Sequence, residues 1–390
     1  MFLDATQLAL QRKRYSHLTD EEFRFMLQQV DGRQRTKEKL PTFAKIDDWW
    51  YPVRLSCEQC SSEITAQHKA KLIGGNITKG EGEEKKMIDL TGGYGVDTYF
   101  MSKYFNHVHY VERNAELCRI AAHNFSLTSP HICIHNTTAE TFLNTYNEEK
   151  ADIVFLDPAR RDQNGGKVFR LEECEPNVVH LLPALHATAQ KIAIKLSPML
   201  DITAALHALE GAWNVHIVAV KNEVKEVLLI QAETTSTIHA TNLLPACYSA
   251  EQQDFIFTNE EEKNAHCILY SESDTTLNEK ETYIYEPNAA IIKAGAYKLI
   301  AQRFELCKMA QHTHLYLANK LIENFPGRRW KIITTNPKDT KNIRANILTR
   351  NYPLTPEQLR KKLKIKDSDT HTIIGARLAD KPTLFLCEKV

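Results

Sequence analysis

From about residue 85 to residue 233 the chain alternates short apolar runs with amphipathic stretches. The runs MIDL (87–90), HVHYVE (107–112), ICIH (132–135), DIVFLD (152–157) and KIAIKL (191–196) are each followed by helical spacing. The predicted helices run through Tyr104, Phe125 and Tyr146, then near 178–187 and 202–209. Such alternation predicts crossover units and a parallel sheet. Two further runs, VHIVAV (215–220) and VLLIQA (227–232), are separated only by residues 221–226. A link that short cannot make a parallel crossover, so the pair is expected to be antiparallel. The fold class is therefore α/β, a Rossmann-like doubly wound sheet closed by an antiparallel terminal hairpin.

The flanks read differently. Residues 1–78 predict a helical region. One helix is capped by Asp20, carries Leu18, Phe23, Phe25, Met26, Leu27 and Val30, and ends at Gly32; a second starts near Ser56 or Ser61 and ends at Gly74-Gly75. Between them, Trp49-Trp50-Tyr51-Pro52 reads as a packing anchor. Residues 236–315 predict a small α/β unit with strands near 255–258, 266–270 and 282–285. Residues 316–390 predict strands at WKIIT, ANILTR, TIIGARL and TLFLCE, with a helix capped by Thr355-Pro356-Glu357. The expected domains are thus 1–78, 79–235, 236–315 and 316–390.

At 390 residues, with 43% apolar and 25% charged positions, the chain has room for two or three cores. Its formal charge is zero, but residues 320–366 hold 13 Lys/Arg against three Asp/Glu, a net of +10, leaving −10 elsewhere. A basic C-terminal segment on an acidic body points to a polyanionic partner, with a solvated helix face as the alternative. The nine cysteines form no framework. Cys57-x-x-Cys60 lacks a second ligand pair, so both read as reduced packing residues, and no metal is expected. No stretch resembles a signal peptide or a membrane helix, which predicts a cytoplasmic protein.

The candidate chemistry lies at three strand ends. Asp89-Leu90-Thr91-Gly92-Gly93-Tyr94-Gly95-Val96-Asp97 follows the first strand and opens a helix. Glycines there let the backbone turn and approach a ligand. A pyrophosphate fingerprint would place a third glycine where Thr98 stands. An acid ahead of the loop suits a ligand with a cationic amino-acid end. Glu112 ends the second strand, where an acid accepts ribose hydroxyls. Asp157-Pro158-Ala159-Arg160-Arg161 ends the fourth. Pro158 restricts Asp157 to extended geometry, aiming a carboxylate at an incoming nucleophile. Arg160 and Arg161 suit a phosphate, or alternatively pair with local acids.

These motifs, with the terminal hairpin, resemble the class I S-adenosylmethionine-dependent methyltransferases. More narrowly, the chain is similar to a bacterial family of these enzymes that carries a helical N-terminal region, a ferredoxin-like domain and a C-terminal THUMP-like domain. Cys60-Ser61-Ser62-Glu63, DLTGGYGVD, LDPARR and Tyr285-Glu286-Pro287-Asn288 carry that resemblance. It implies S-adenosylmethionine as cofactor, contacted by Asp89, Thr91, Gly92, Gly93, Gly95, Asp97, Glu112 and Thr138, with Asp157 and Pro158 at the catalytic position. The third-strand acid of the wider class is replaced here by Asn136-Thr137-Thr138.

Departures narrow the acceptor. Ala159-Arg160 stands where amino-group methyltransferases place Pro and an aromatic ring. Lys195-Leu196-Ser197-Pro198 offers Ser where carbon-5 uridine methylation needs a nucleophilic Cys. The expectation is methylation of an RNA base nitrogen, in tRNA or another RNA, without a covalent intermediate. RNA would be held by the basic segment, including Arg328, Arg329, Lys361 and Lys362. The alternatives are a protein or small-molecule acceptor, a non-catalytic RNA-binding protein with a relic cofactor pocket, and a nicotinamide oxidoreductase.

Overall fold

The computed structural model describes residues 4–78, 80, 82–160, 171–244, 252–271, 281–368 and 370–390. The chain divides into one unit of residues 1–215 and 225–236 and a second of residues 216–224 and 237–390. Among the described residues, no helix is long and apolar enough to cross a membrane.

The first unit opens with helices α1 (Ala5–Leu10), α2 (Asp20–Thr36), α3 (Arg54–Gln59) and α4 (Glu63–Gly74). The cap of α2 is Thr19, whose hydroxyl accepts from the Glu22 N–H while Glu22 reaches back to the Thr19 N–H. Asp20 is thus the first helical residue rather than the cap. The helix also runs through Gly32 instead of ending there. Tyr51 explains this: a Cβ on Gly32 would lie 2.3 Å from the Tyr51 Cβ, so the glycine marks close packing. Of the two starts expected for the next helix, Ser56 falls inside the separate helix α3 and Ser61 lies one residue before Ser62, which caps α4; α4 ends at Gly74 with Gly75 as its C-cap.

The sheet is built from β1 (Lys86–Asp89), β2 (His107–Glu112), β3 (Ile132–Asn136), β4 (Ala151–Leu156), β5 (Ala189–Leu196), β6 (Trp213–Val220) and β7 (Glu223–Gln231), residues 216–224 of the last two belonging to the second unit. Their order is 3-2-1-4-5-7-6. β3, β2, β1, β4 and β5 run parallel, and β7 returns antiparallel to β5. The crossovers carry α5 (Val96–Met101), α6 (Ala115–Thr128), α7 (Ala139–Thr145), α8 (Val178–Thr188) and α9 (Ile202–Leu209). This is the Rossmann-like arrangement of class I methyltransferases, with its antiparallel terminal hairpin.

The N-terminal helices are part of the same core. Leu40, Phe43, Trp49, Tyr51, Cys57, Ala66 and Ile73 are buried in one cluster with Met87, Tyr110, Phe155 and Leu228 of the sheet. Phe43 stacks on Trp49 at 4.2 Å, and the Trp49 indole N–H donates to the Tyr94 hydroxyl at 2.9 Å. The aromatic anchor therefore braces the glycine-rich loop itself.

In the second unit β8 (Ile238–Leu243) pairs antiparallel with β9 (Gln252–Phe257). An eight-stranded sheet then contains β10 (Ile268–Leu269), β11 (Tyr283–Pro287), β12 (Cys307–Ala310), β13 (Thr313–Ala318), β14 (Gly327–Thr334), β15 (Asn346–Arg350), β16 (His371–Leu378) and β17 (Lys381–Lys389), in the order 10-12-13-11-14-17-16-15. The expected junction at 315/316 falls within β13. The crossover from β15 to its parallel partner β16 includes α10 (Pro356–Leu363). That helix buries Leu359 and Leu363 against Ala345, Ile365 and Ile373 and leaves Lys361 and Lys362 exposed.

Candidate active site

The carboxyl ends of β1, β2, β4 and β5 open onto a cavity of about 550 Å³. Ligands of open α/β sheets bind at these ends, outside the switch in strand order between β1 and β4. Lining it are Asp89, Thr91, Gly92, Gly93, Gly95, Asp97, Glu112, Thr138 and Asp157, together with Lys195, Glu175 and residues of α3 and its exit: Leu55, Ser56, Gln59, Cys60 and Ser61.

Sterics dictate the loop after β1. Gly92 lies against Tyr110, and a Cβ there would sit 2.1 Å from the ring. Gly95 takes φ 84°, a left-handed conformation, and also faces Phe125 at 2.7 Å. The Tyr110 hydroxyl donates to the Gly93 carbonyl at 2.5 Å. Asp89 is buried. One carboxylate oxygen accepts the Thr91 N–H at 3.0 Å and the other the Thr98 hydroxyl at 2.6 Å. Burial pushes its carboxyl up to about 7. Its visible work is thus to brace the loop from beneath.

Glu112 is fixed from both sides. One oxygen accepts the Gly93 N–H at 2.9 Å and the other the Asn114 N–H at 2.7 Å. Each carboxylate oxygen has a second lone pair, so this acid can still receive two hydroxyls in a set orientation. Thr138 caps α7, its hydroxyl accepting from the Thr141 N–H.

Asp157 has its N–H bonded to the Thr91 hydroxyl at 2.6 Å, which ties β4 to the glycine loop. Its carboxylate oxygen Oδ2 accepts a bond from the Lys195 ammonium. Lys195 also faces Asp97 at 3.6 Å. Asp97 in turn accepts from the Ser61 hydroxyl at 2.8 Å and meets Lys69 of α4 at 3.3 Å, and Lys69 pairs with Glu226 of β7 at 2.6 Å. Burial opposes the charge on Asp97, but Lys69 and Lys195 outweigh it and hold the carboxyl below the usual range. Burial likewise opposes the charge on Lys195, yet Asp157, Asp97 and Glu226 raise its proton affinity. Glu226 lies above the ordinary carboxylate range because of burial, in spite of Lys69. The sequence pattern did not single out Lys69, Lys195 or Glu226. The only hint was Lys195 inside the apolar run KIAIKL; Glu226 lies in the 221–226 link and Lys69 in the helix before Gly74-Gly75.

Pro158 follows Asp157 but does not line the cavity. Arg161 lies outside the described residues, and of Arg160 only the backbone is described, paired with Cys174. Arg328 and Arg329 already have partners. Arg328 pairs with buried Glu286 at 2.8 Å, and Arg329 donates to the carbonyls of Ile322 and Glu323. Lys341, Arg344, Lys361, Lys362, Lys364 and Lys366 are exposed, and a bridge between Arg344 and Lys366 sets these two side by side.

Residues 67–173 match the family described as conserved hypothetical protein 95, residues 283–326 a ferredoxin-like domain, and residues 327–389 a THUMP domain-like family. A proposed methyltransferase of Porphyromonas gingivalis W83, known from its crystal structure, is 30% identical over 100% of both chains, with a TM-score of 0.81. Partial matches include an rRNA methylase of Streptococcus thermophilus (12% identity, 44% of this chain and 95% of that one, TM-score 0.32). Another is a proposed methyltransferase of Streptococcus mutans in complex with SAH (13%, 45% and 100%, 0.29). At such TM-scores these two carry no argument. No curated protein matches the chain.

Proposed function

The chain belongs to the methyltransferase family that carries a ferredoxin-like and a THUMP-like domain, and from that premise we propose that it transfers methyl from S-adenosylmethionine to a base nitrogen of RNA. The cofactor assignment rests above all on Glu112, a carboxylate fixed by two backbone N–H groups beside a glycine loop that a side chain would block.

The donor set suits S-adenosylmethionine. Glu112 can take the ribose hydroxyls, while the carboxylates of Asp97 and Asp157 face a ligand that carries a sulfonium and an ammonium. The bare Gly93 and Gly95 backbone admits close approach. When bound, the cofactor would supply an electrophilic methyl carbon. Asp157 then orients the acceptor by accepting a hydrogen bond from its N–H, and the proton leaves through that carboxylate or water. Alignment supplies much of the acceleration. Lys195-Leu196-Ser197-Pro198 puts Ser rather than Cys just after β5, which favours direct transfer.

RNA is favoured over a protein or small-molecule acceptor by the exposed bases around α10, Lys341, Arg344, Lys361, Lys362, Lys364 and Lys366. Calorimetric titration with S-adenosylhomocysteine and, in parallel, with NAD tests the cofactor. Heat from the first alone, weakened at least tenfold in Glu112→Ala, is expected. Heat from NAD, or an unchanged Glu112→Ala titration, overturns the assignment.

A further inference from the structure

Lys195 stands in the cavity and has no part in the roles assigned so far. Its position follows from strand register. β4 and β5 pair in parallel with Leu156 opposite Ile194, so the next pair outward is Asp157, one residue past the end of β4, and Lys195, still within β5 and opposite Leu228 of β7. Strand alternation puts their side chains on one face. Lys195 is only 13% exposed, against 38% for Asp157. The charged groups facing it are Asp157 from β4, Asp97 from α5 and Glu226 from β7. Lys69 of α4 stands behind the two latter acids.

We propose that Lys195 is the positioning residue of the transfer site, clamping Asp157 through Oδ2 so that Oδ1 is presented to the acceptor. This rests on the assignment of the cavity to methyl transfer. An ammonium held between two carboxylates cannot swing into solvent without leaving Asp157 without its cation and Asp97 with Lys69 alone. The side chain of Asp157 is thereby denied free rotation about its χ angles, and its free oxygen is held in one place. Asp97, braced by Ser61 and Lys69, is the fixed end of the clamp. The N-terminal helix α4 therefore contributes to the geometry of the transfer site although none of its residues lines the cavity.

A structural lysine and a positioning lysine predict different results. In the intact protein, Lys195→Met should lower kcat roughly 30-fold or more, in line with the cost of small misplacements of a reacting group, while the dissociation constant of S-adenosylhomocysteine moves less than about threefold. Lys195→Arg should restore about a tenth or more of the lost rate. In an Asp157→Asn background, Lys195→Met should cost nothing further. Losses that add in the double variant, or that follow cofactor affinity, would overturn the proposal. A second cycle needs no acceptor. Urea unfolding of Lys195→Met, Asp157→Asn and the pair should be non-additive by at least about threefold in the unfolding constant, with Lys195→Gln substituted if the Met variant does not fold. Additivity there ends the proposal. Coupling there with no label entering RNA would leave the clamp standing and remove RNA as the acceptor.

Discussion

Lys69 offers the sharpest test of the buried charge network. Its side chain is fully buried, 2.6 Å from Glu226 and 3.3 Å from Asp97. Lys69→Met keeps most of the volume and removes the cation, leaving Glu226, itself 3% exposed, without its partner. Breaking a buried pair from one side costs about 3–5 kcal/mol, because the remaining charge is uncompensated. At about 2–4 °C per kcal/mol for a unit of this size, the first unit should melt roughly 6–20 °C lower, as read by calorimetry. Restoring the balance with apolar groups should undo the damage, so Lys69→Met combined with Glu226→Leu should melt well above Lys69→Met alone. The effect should also depend on pH. Burial already raises the Glu226 carboxyl, and loss of Lys69 raises it further. A group with a raised folded-state proton affinity favours folding at low pH and loses that contribution as pH rises. The variant should therefore lose less at pH 5 than at pH 8. A melting point within about 2 °C of the parent, or a double variant weaker than the single one, would refute this description of the network.

Three further outcomes are expected. Gly92→Ala should destabilise the first unit by about 1–3 kcal/mol in urea unfolding, because the Tyr110 ring occupies the space a methyl would need; a Tm and cofactor affinity equal to the parent would contradict the packing. Asp89 binds its proton more tightly than an ordinary carboxyl, up to about 7, so its contribution to stability is greatest below pH 4 and lost as pH rises through 7. Asp89→Asn should therefore gain stability relative to the parent across that window, and a pH-independent difference would show that burial does not perturb Asp89. Lys361→Ala with Lys362→Ala should weaken RNA binding across sequences and reduce the salt slope by about one to two, as measured by filter binding; an unchanged slope would place RNA elsewhere.

Most strand positions in the first unit were legible because the apolar runs of β1, β2, β4 and β5 lie in a sheet buried on both faces, while the edge run ICIH, with Cys133 exposed, was legible from its alternation with helices, and the short link at 221–226 revealed the hairpin. The place of β7 between β5 and β6 was not legible, since insertion of a strand leaves no local mark. Boundaries failed where tertiary contacts overrode local signals. Gly32 looked like a helix end but makes room for Tyr51, and the sequence left the start of α4 open between Ser56 and Ser61, whereas Ser62 caps it. In the second unit, β8, β12 and β13 were missed because their polar and apolar positions mix. At the site, the glycines and three strand-end acids were evident as motifs. Lys69, Lys195 and Glu226 were not, because a charged position acquires meaning only when distant partners such as Asp97 meet it. Arg328 looked free for phosphate in the sequence, yet Glu286 holds it across the sheet.

The account stands most directly on one measurement, transfer of labelled methyl from S-adenosylmethionine to total RNA from cells lacking this gene, with Asp157→Ala alongside. Label in one RNA size class, absent with Asp157→Ala and released as a nitrogen-methylated nucleoside, is the predicted result. Label in protein or small molecules only, or label in RNA that survives Asp157→Ala, would contradict it.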